Sequence, residues 1–168
     1  GELYSISPGI KPTAAILNSR TDLLNEVSAR DEKYCSFNDS SNQSGINELQ
    51  LSFPKQNNLR EAKLLLQLKN SYWFDYLYGE FTRQFGSSYS SWQAQQQARP
   101  VKEMIRWTEE QAIPLQVAVH TSAGWKEITK IKTVGPLAQR RLVIPVPVED
   151  LSGETIQVRL STGFMFWE

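Results

Sequence analysis

The chain contains one cysteine, Cys35, and one histidine, His120, the two side chains that nucleophilic catalysis would combine. No Gly-x-Ser-x-Gly elbow, P-loop or dinucleotide-binding glycine turn accompanies them. His120 ends an alternating segment on its polar side, which is typical of a surface or turn histidine. Cys35 lies in a Tyr-Cys-Ser-Phe run and is typical of a small buried apolar residue. We therefore predict no catalytic residue, and these counts exclude an internal disulfide and any zinc site that needs two cysteines or two histidines.

Paired carboxylates would support glycoside cleavage, which needs two carboxyl groups across a cleft. Asp75 and Glu80 lie in a helical pattern, and Glu80 precedes Arg83 by three residues, so we expect a surface ion pair there. Glu109 and Glu110, near the end of a second helical pattern, are expected in solvent. A hydrolase acting on glycans remains an alternative whose acid and base the sequence does not identify.

The segment 38–45 is rich in Asn, Asp, Ser and Gly and predicts a polar loop. Its Asn38, Asp39 and Asn42 carry oxygen atoms of the kind that calcium prefers, but their spacing matches no EF-hand. We expect a solvated loop, with a structural calcium as the alternative and no other metal or cofactor. Asn38 and Asn42 also begin glycosylation sequons, which matter only in a eukaryotic secretory protein.

A dense run of aromatic side chains is the most distinctive feature of the sequence. Seven Phe, Trp and Tyr residues fall within fourteen positions, in a pattern that predicts an α-helix. We expect this helix to pack a broad apolar face onto the core. The alternatives are a platform for sugar rings or a docking surface for a neighbouring domain. The seven residues are Tyr72, Trp73, Phe74, Tyr76, Tyr78, Phe81 and Phe85.

Three other aromatic residues are expected to be more exposed. Tyr89 and Trp92 belong to a polar, serine-rich break after the aromatic helix, and Trp125 follows a turn. We predict Tyr89, Trp92 and Trp125 as the ligand-binding residues if the protein has a ligand platform. Packing at the end of a hairpin explains Trp125 equally well.

Composition predicts one domain, residues 1–168, with a packed core. The chain has 168 residues, 40% of them hydrophobic, and eighteen basic residues balance eighteen acidic ones. The neutral balance argues against a protein built mainly to bind nucleic acid. No apolar run is long enough to span a membrane and no signal-like leader opens the chain. Because it begins at Gly1 and stops just after an apolar cluster, we expect a piece of a longer protein.

Alternation of apolar and polar residues predicts seven short strands. Tight links predict antiparallel pairing, and Pro145 and Pro147, within and just after the strand 142–146, predict an edge or bulged position. Two helices are expected between the second and third strands, one from Ser71 to Phe85 with Asn70 or Ser71 as its cap, and one opened by Pro100. The predicted strands are 49–53, 62–68, 115–120, 126–133, 142–146, 156–161 and 164–167, with an extended arm over 1–12 and a short helix over 21–29.

These elements predict a mostly β protein, an antiparallel β-sandwich or jelly roll with a two-helix insertion at about 71–111. No strand–helix–strand alternation points to a parallel sheet.

The second half of the chain resembles a galactose-binding-domain-like jelly roll. The resemblance rests on Pro114-Leu115-Gln116-Val117-Ala118-Val119, the Gly124-Trp125 turn, Arg141-Leu142-Val143-Ile144-Pro145-Val146, and the alternating segment from Leu151 to Leu160. It implies a non-catalytic binding module, often for carbohydrate, and an exported or cell-surface location. The helical block at 71–111 departs from the family pattern. We therefore expect a binding or accessory module, with a glycan hydrolase or a structural domain of a larger protein as alternatives.

Overall fold

The computed structural model describes residues 9–29, 31, 33–39, 41–151 and 153–168. Residues 1–8 of the predicted N-terminal arm lie outside this part of the chain. The described residues are mostly β, as predicted, and their strands pair antiparallel in one six-stranded and one two-stranded sheet. The elements are β1 (Ala14–Leu17), β2 (Thr21–Asp22), α1 (Leu24–Ser28), β3 (Ile46–Pro54), β4 (Ala62–Leu68), α2 (Tyr72–Arg83), α3 (Tyr89–Ala98), α4 (Val101–Glu110), β5 (Leu115–Thr121), β6 (Gly124–Ile131), β7 (Arg140–Val146) and β8 (Thr155–Gly163).

The large sheet has the strand order β2-β1-β3-β8-β5-β6. Its centre is the pairing of β3 with β8, in which Leu49 lies opposite Leu160 and Leu51 opposite Val158. On the other side of β8, Val117 of β5 also lies opposite Leu160. All of these side chains are buried. Because residues two apart on a strand share one face, they lie together on one side of the sheet. The inner face of the large sheet is therefore the main wall of the core.

A ribbon of β4 and β7 covers that wall. Leu64 and Ile144 lie opposite each other in the ribbon, and both are buried in the same apolar cluster as the inner face of the large sheet. β7 contains Pro145 and pairs with β4 alone, so the predicted edge position is confirmed. The two layers are unequal, six strands against two.

The N-terminal segment differs from its prediction. A helix was expected over 21–29, but only Leu24–Ser28 is helical, and Thr21 and Asp22 instead pair with β1. The β1–β2 connection, 18–20, places Asn18 and Ser19 at φ +50° and +58°, and the Arg20 N–H donates to the Leu17 oxygen over 3.0 Å, which closes a turn with two left-handed central residues. β1 itself pairs with β3, which lies thirty residues further along the chain. β1 has only four residues, too few to show an alternating pattern, so the sequence did not predict it and its pairing with the distant β3 determines its structure.

The last predicted strand, 164–167, is wrong. Phe164 has φ +43°, in the left-handed region, and the ladder of β8 ends just before it at Gly163. Beyond that point a single bridge joins Trp167 to Asn70. Trp167 is nevertheless the largest fully buried side chain of the described residues.

The helical insertion has three helices rather than the predicted two. Ser71 caps α2 as expected, because its Oγ accepts a hydrogen bond from the Phe74 N–H (3.1 Å), and Pro100 precedes α4 as expected. The predicted polar break instead becomes a short 3₁₀ turn, Gly86–Ser88, followed by α3. The sequence of α3 shows no apolar stripe, but its Ala and Gln residues favour helix and its Trp92 packs on aromatic residues of the insertion.

None of α2, α3 and α4 contains a buried residue. The insertion therefore lies on the outside of the two β layers. Among the described residues, no helix is both long and apolar enough to cross a membrane.

Candidate functional site

Helix α2 meets the core along a narrow side. Phe74 and Leu77 are half-buried and pack against the apolar cluster, and the Phe74 ring contacts the Phe166 ring edge-on at 5.1 Å. The broad buried face expected from the aromatic run is therefore wrong. Four of its aromatic residues are instead exposed: Tyr72 by 60%, Trp73 by 42%, Tyr76 by 55% and Tyr78 by 47%.

Three of these residues form a group on the first two turns of α2, which we call the ring row: Tyr72, Trp73 and Tyr76. The Trp73 and Tyr76 rings have centroids 5.6 Å apart and planes inclined by 21°. The Lys69 ammonium lies 4.7 Å from the centroid of the Tyr72 ring. These contacts hold the rings in place although they face solvent.

Charged side chains continue the side of α2 that carries Trp73 and Tyr76. Glu80 and Arg83 lie four and seven residues after Tyr76, so they follow it along the helix surface. They form the predicted ion pair. The ring row is therefore bordered on one side by hydrogen-bonding groups and on the other by Lys69.

The predicted ligand-binding residues Tyr89 and Trp92 lie in a second aromatic cluster, between the helices. The Trp92 ring stacks on Phe85 (4.5 Å, 23°) and meets Phe81 edge-on (5.7 Å), while Tyr89 lies 5.7 Å from Trp92. Trp107 of α4 also contacts Phe81 at 6.4 Å. Tyr89 and Trp92 are half-buried, and Trp92 packs α3 against the end of α2.

The third predicted residue, Trp125, lies on β6 with different partners. Its ring meets the His120 ring edge-on at 5.2 Å, and the Arg159 guanidinium lies 4.7 Å from its centroid. Arg159 also forms an ion pair with Glu48 (3.4 Å). Tyr89 and Trp92 therefore meet each other, whereas Trp125 belongs to the β5–β6 hairpin at one edge of the large sheet.

Cys35 is in an environment that does not favour a nucleophile. The thiol is about half-buried, and burial together with the negative charge of Glu26 raises its pKa, so the neutral form is stabilised. His120 packs on Trp125 instead. In the described ranges no three His, Cys, Asp or Glu residues cluster as they would around a metal ion.

The oxygen atoms proposed for calcium accept hydrogen bonds from the loop itself. Asp39 Oδ1 accepts from the Ser41 N–H (3.0 Å) and hydroxyl (2.6 Å), and Asn42 Oδ1 accepts from the Ser44 N–H (3.1 Å) and hydroxyl (2.8 Å). The Ser41 and Asn18 side chains lower the pKa of Asp39, with help from the Arg20 charge. Asn38 is exposed. These hydrogen bonds engage Asp39 and Asn42 oxygen atoms that the calcium alternative would use.

The predicted ligand-binding residues did not include the ring row, because the aromatic run was expected to pack a broad apolar face onto the core and a sugar platform there was only the alternative. The spacing of the sequence separates two sides of the helix. Phe74, Leu77 and Phe81 meet the core and the other helices, and Tyr72 and Tyr76 lie on the opposite side. Trp73, four residues before Leu77, lies between the two sides. A helical projection of the α2 sequence shows this separation of the two sides.

Comparison of the chain with protein-family models, curated proteins and solved structures gave no match.

Proposed function

We propose that this chain is a non-catalytic binding module that recognises carbohydrate through the ring row of α2. The observation that carries the proposal is the exposure of Tyr72, Trp73 and Tyr76 on a helix that contains no buried residue. Large aromatic side chains are usually withdrawn from water, so an exposed group of them marks a surface that meets a ligand or a partner.

The chemistry of the ring row favours sugars. Tyr and Trp combine a flat apolar ring with a polar edge, and the C–H face of a pyranose stacks on such a ring while its hydroxyl groups remain available for hydrogen bonds. The Trp73 and Tyr76 rings stack on each other and are 42% and 55% exposed, so the exposed parts of both rings are open to successive sugars of a chain. Glu80 and Arg83 supply acceptors and donors for the hydroxyl groups.

The resemblance of residues 114–167 to galactose-binding-domain-like jelly rolls belongs to the same proposal. Two antiparallel layers around one core are compatible with that architecture. In this interpretation the helical insertion is an addition to the β layers, and it carries the binding surface.

The experiment is a binding assay on the folded protein with polysaccharides. Cellulose, chitin and starch granules test insoluble ligands in a pull-down, and soluble xylan, mannan and galactan test the others by affinity electrophoresis. We expect at least one to bind. Trp73→Ala with Tyr76→Ala should then weaken binding by about thirtyfold or more, because a central aromatic contact of this kind contributes about 2 kcal/mol or more.

Tyr78→Ala is the matched control, since Tyr78 has similar exposure on the same helix but lies outside the ring row. It should bind as the unmodified protein does, and Trp73→Phe, which keeps a ring, should retain most of the affinity. Trp92→Ala and Trp125→Ala test the residues predicted from the sequence. The proposal fails if no polysaccharide binds, or if the double substitution and Tyr78→Ala behave alike.

The glycan hydrolase of the sequence analysis would need a protonated carboxyl group as its acid. Hydrogen bonds from Ser41 and Asn18 lower the pKa of Asp39, so Asp39 does not suit that acid and acts as a hydrogen-bond acceptor. Release of reducing sugar in the same assays would support the hydrolase.

A further inference from the structure

A concave site of about 700 Å³ lies away from the ring row. One wall is the β1–β2 turn, with Ser19 and Arg20, and the other is formed by Asp39, Ser41 and the start of β3. Its volume is in the range of small-molecule sites. Its lining differs from an ordinary drug-like pocket because nearly every side chain in it is polar.

The walls of this cavity are held together by buried and half-buried amides. Asn18 Nδ2 donates to Asp39 Oδ2 (2.9 Å) and to Asn47 Oδ1 (2.8 Å), and Asn18 Oδ1 accepts from the Glu48 N–H (2.8 Å). Asn42 Nδ2 donates to the same Asn47 oxygen (2.8 Å). A network of this kind fixes the two walls before a ligand arrives, which lowers the entropic cost of binding.

The charges around the cavity are balanced. Arg20 Nη1 donates to Ser41 Oγ (2.8 Å), whose hydroxyl in turn donates to Asp39 (2.6 Å). Glu48 forms an ion pair with Arg159 (3.4 Å). The carboxylates of Asp39 and Glu48 are thus offset by Arg20 and Arg159, so the cavity carries no net charge that would favour an anion or a cation. A neutral ligand with hydroxyl groups suits such a lining, because each hydroxyl can both donate and accept.

Ser19 adds a polar side chain at a position where the backbone favours glycine. Its φ of +58° lies in the left-handed region, which is unfavourable for most residues with a Cβ. A glycine would relieve that strain and would remove the hydroxyl from the wall of the cavity. The substitution Ser19→Gly therefore tests the contribution of the hydroxyl group to binding without an expected loss of stability.

We infer that this cavity binds one sugar unit of a neutral saccharide, with Arg20 and Ser19 donating to its hydroxyl groups and Asp39 and Glu48 accepting from them. The site is separate from the ring row and does not depend on it. It would hold a single sugar residue or a chain end, whereas the ring row is exposed along the surface of α2.

Titration of the ¹⁵N-labelled protein with D-glucose, D-galactose and N-acetyl-D-glucosamine tests the inference. At least one of these sugars should shift the amide signals of residues 18–20 and 41–48. Sodium acetate and glycine serve as charged and zwitterionic probes and should shift them less at equal concentration. The inference is wrong if none of the sugars shifts these signals, if only α2 responds, or if acetate or glycine gives the larger shift.

Two variants make the test sharper. Arg20→Gln should weaken sugar binding by about tenfold or more, since hydrogen bonds from a charged donor are stronger than neutral ones. Ser19→Gly should weaken it by about threefold to tenfold without lowering the melting temperature. Asn58→Gly is the matched control, because Asn58 also has a left-handed backbone (φ +59°) but lies outside the cavity, and it should leave affinity unchanged. Equal affinity of the unmodified protein and Arg20→Gln would overturn the inference.

Discussion

The backbone of Gly163 lies directly against the carbonyl group of Ala112. The Gly163 N–H donates to the Ala112 oxygen over 2.8 Å, and a Cβ at position 163 would be only 2.9 Å from that oxygen and 3.0 Å from the Ala112 Cβ. Gly163 ends the central strand β8, and Ala112 follows the last helix of the insertion. This contact fixes the end of the helical insertion to the large sheet.

Gly163→Ala is therefore expected to destabilise the protein by about 1–3 kcal/mol, because the added methyl group must displace backbone rather than a flexible side chain. The measurement is the free energy of unfolding from urea denaturation followed by circular dichroism. Gly79→Ala is the matched control, since no atom lies within 4 Å of a Cβ there and the residue is inside α2. That variant should gain roughly 0.5–1 kcal/mol. A Gly163→Ala protein as stable as the original would contradict the close approach.

Asn70 is predicted to be the most sensitive polar residue of the interior. It is fully buried, its Oδ1 accepts from the Val134 N–H (2.7 Å) and the Gly135 N–H (2.8 Å), and its Nδ2 donates to the Phe166 oxygen (3.3 Å). Asn70→Ala should lose about 2–3 kcal/mol, because two half-buried N–H groups would be left without their acceptor. Asn57→Ala, at an exposed position, should change stability by less than about 0.5 kcal/mol. Similar unfolding midpoints for the two variants in urea would refute the role given to Asn70.

The parts of the fold that sequence predicted are those in which local pattern and tertiary contact agree. The alternation of β3 and β4 and the Ser71 cap of α2 needed no information from distant residues. Helix α3 was not predicted because its own sequence has no apolar stripe. Its Trp92 packs on Phe81 and Phe85, which lie at and just after the end of α2. β1 was missed for the same reason, since its partner β3 is far along the chain.

The candidate sites, too, could be predicted from the sequence only where local sequence was sufficient. The aromatic content of α2 was evident, but which rings face solvent depends on where the helix meets the core. The polar cavity depends on a contact between the β1–β2 turn and the loop at Asp39, more than twenty residues apart in sequence. Composition predicts a polar loop at 38–45, but it does not predict that this loop contacts the β1–β2 turn.

Trp167 is expected to be structural although it is an aromatic residue near the end of the chain. It is 1% exposed, and its Nε1–H donates to the Ile113 oxygen over 2.8 Å. Trp167→Phe should destabilise the protein by about 1–3 kcal/mol, through the lost volume and the carbonyl left without its donor. The comparison is Trp73→Phe, the same substitution at a 42% exposed position, which should change the unfolding free energy by less than about 0.5 kcal/mol. Equal effects in urea denaturation would contradict this assignment.

Asp39 should make stability depend on pH in the acid range. The Ser41 and Asn18 hydrogen bonds lower its pKa in the folded protein below the ordinary value of 3.8, so the ionised carboxylate favours folding. That contribution is present above pH 3.8 and disappears as the pH falls through the lower, folded pKa. At neutral pH the unmodified protein should therefore be more stable than Asp39→Asn, and the difference between their urea midpoints should shrink as the pH is lowered below 3.8. Glu149→Gln, at an exposed position, should not reproduce this narrowing. A difference that stays constant from neutral pH into the acid range would mean that the carboxylate charge does not stabilise the loop.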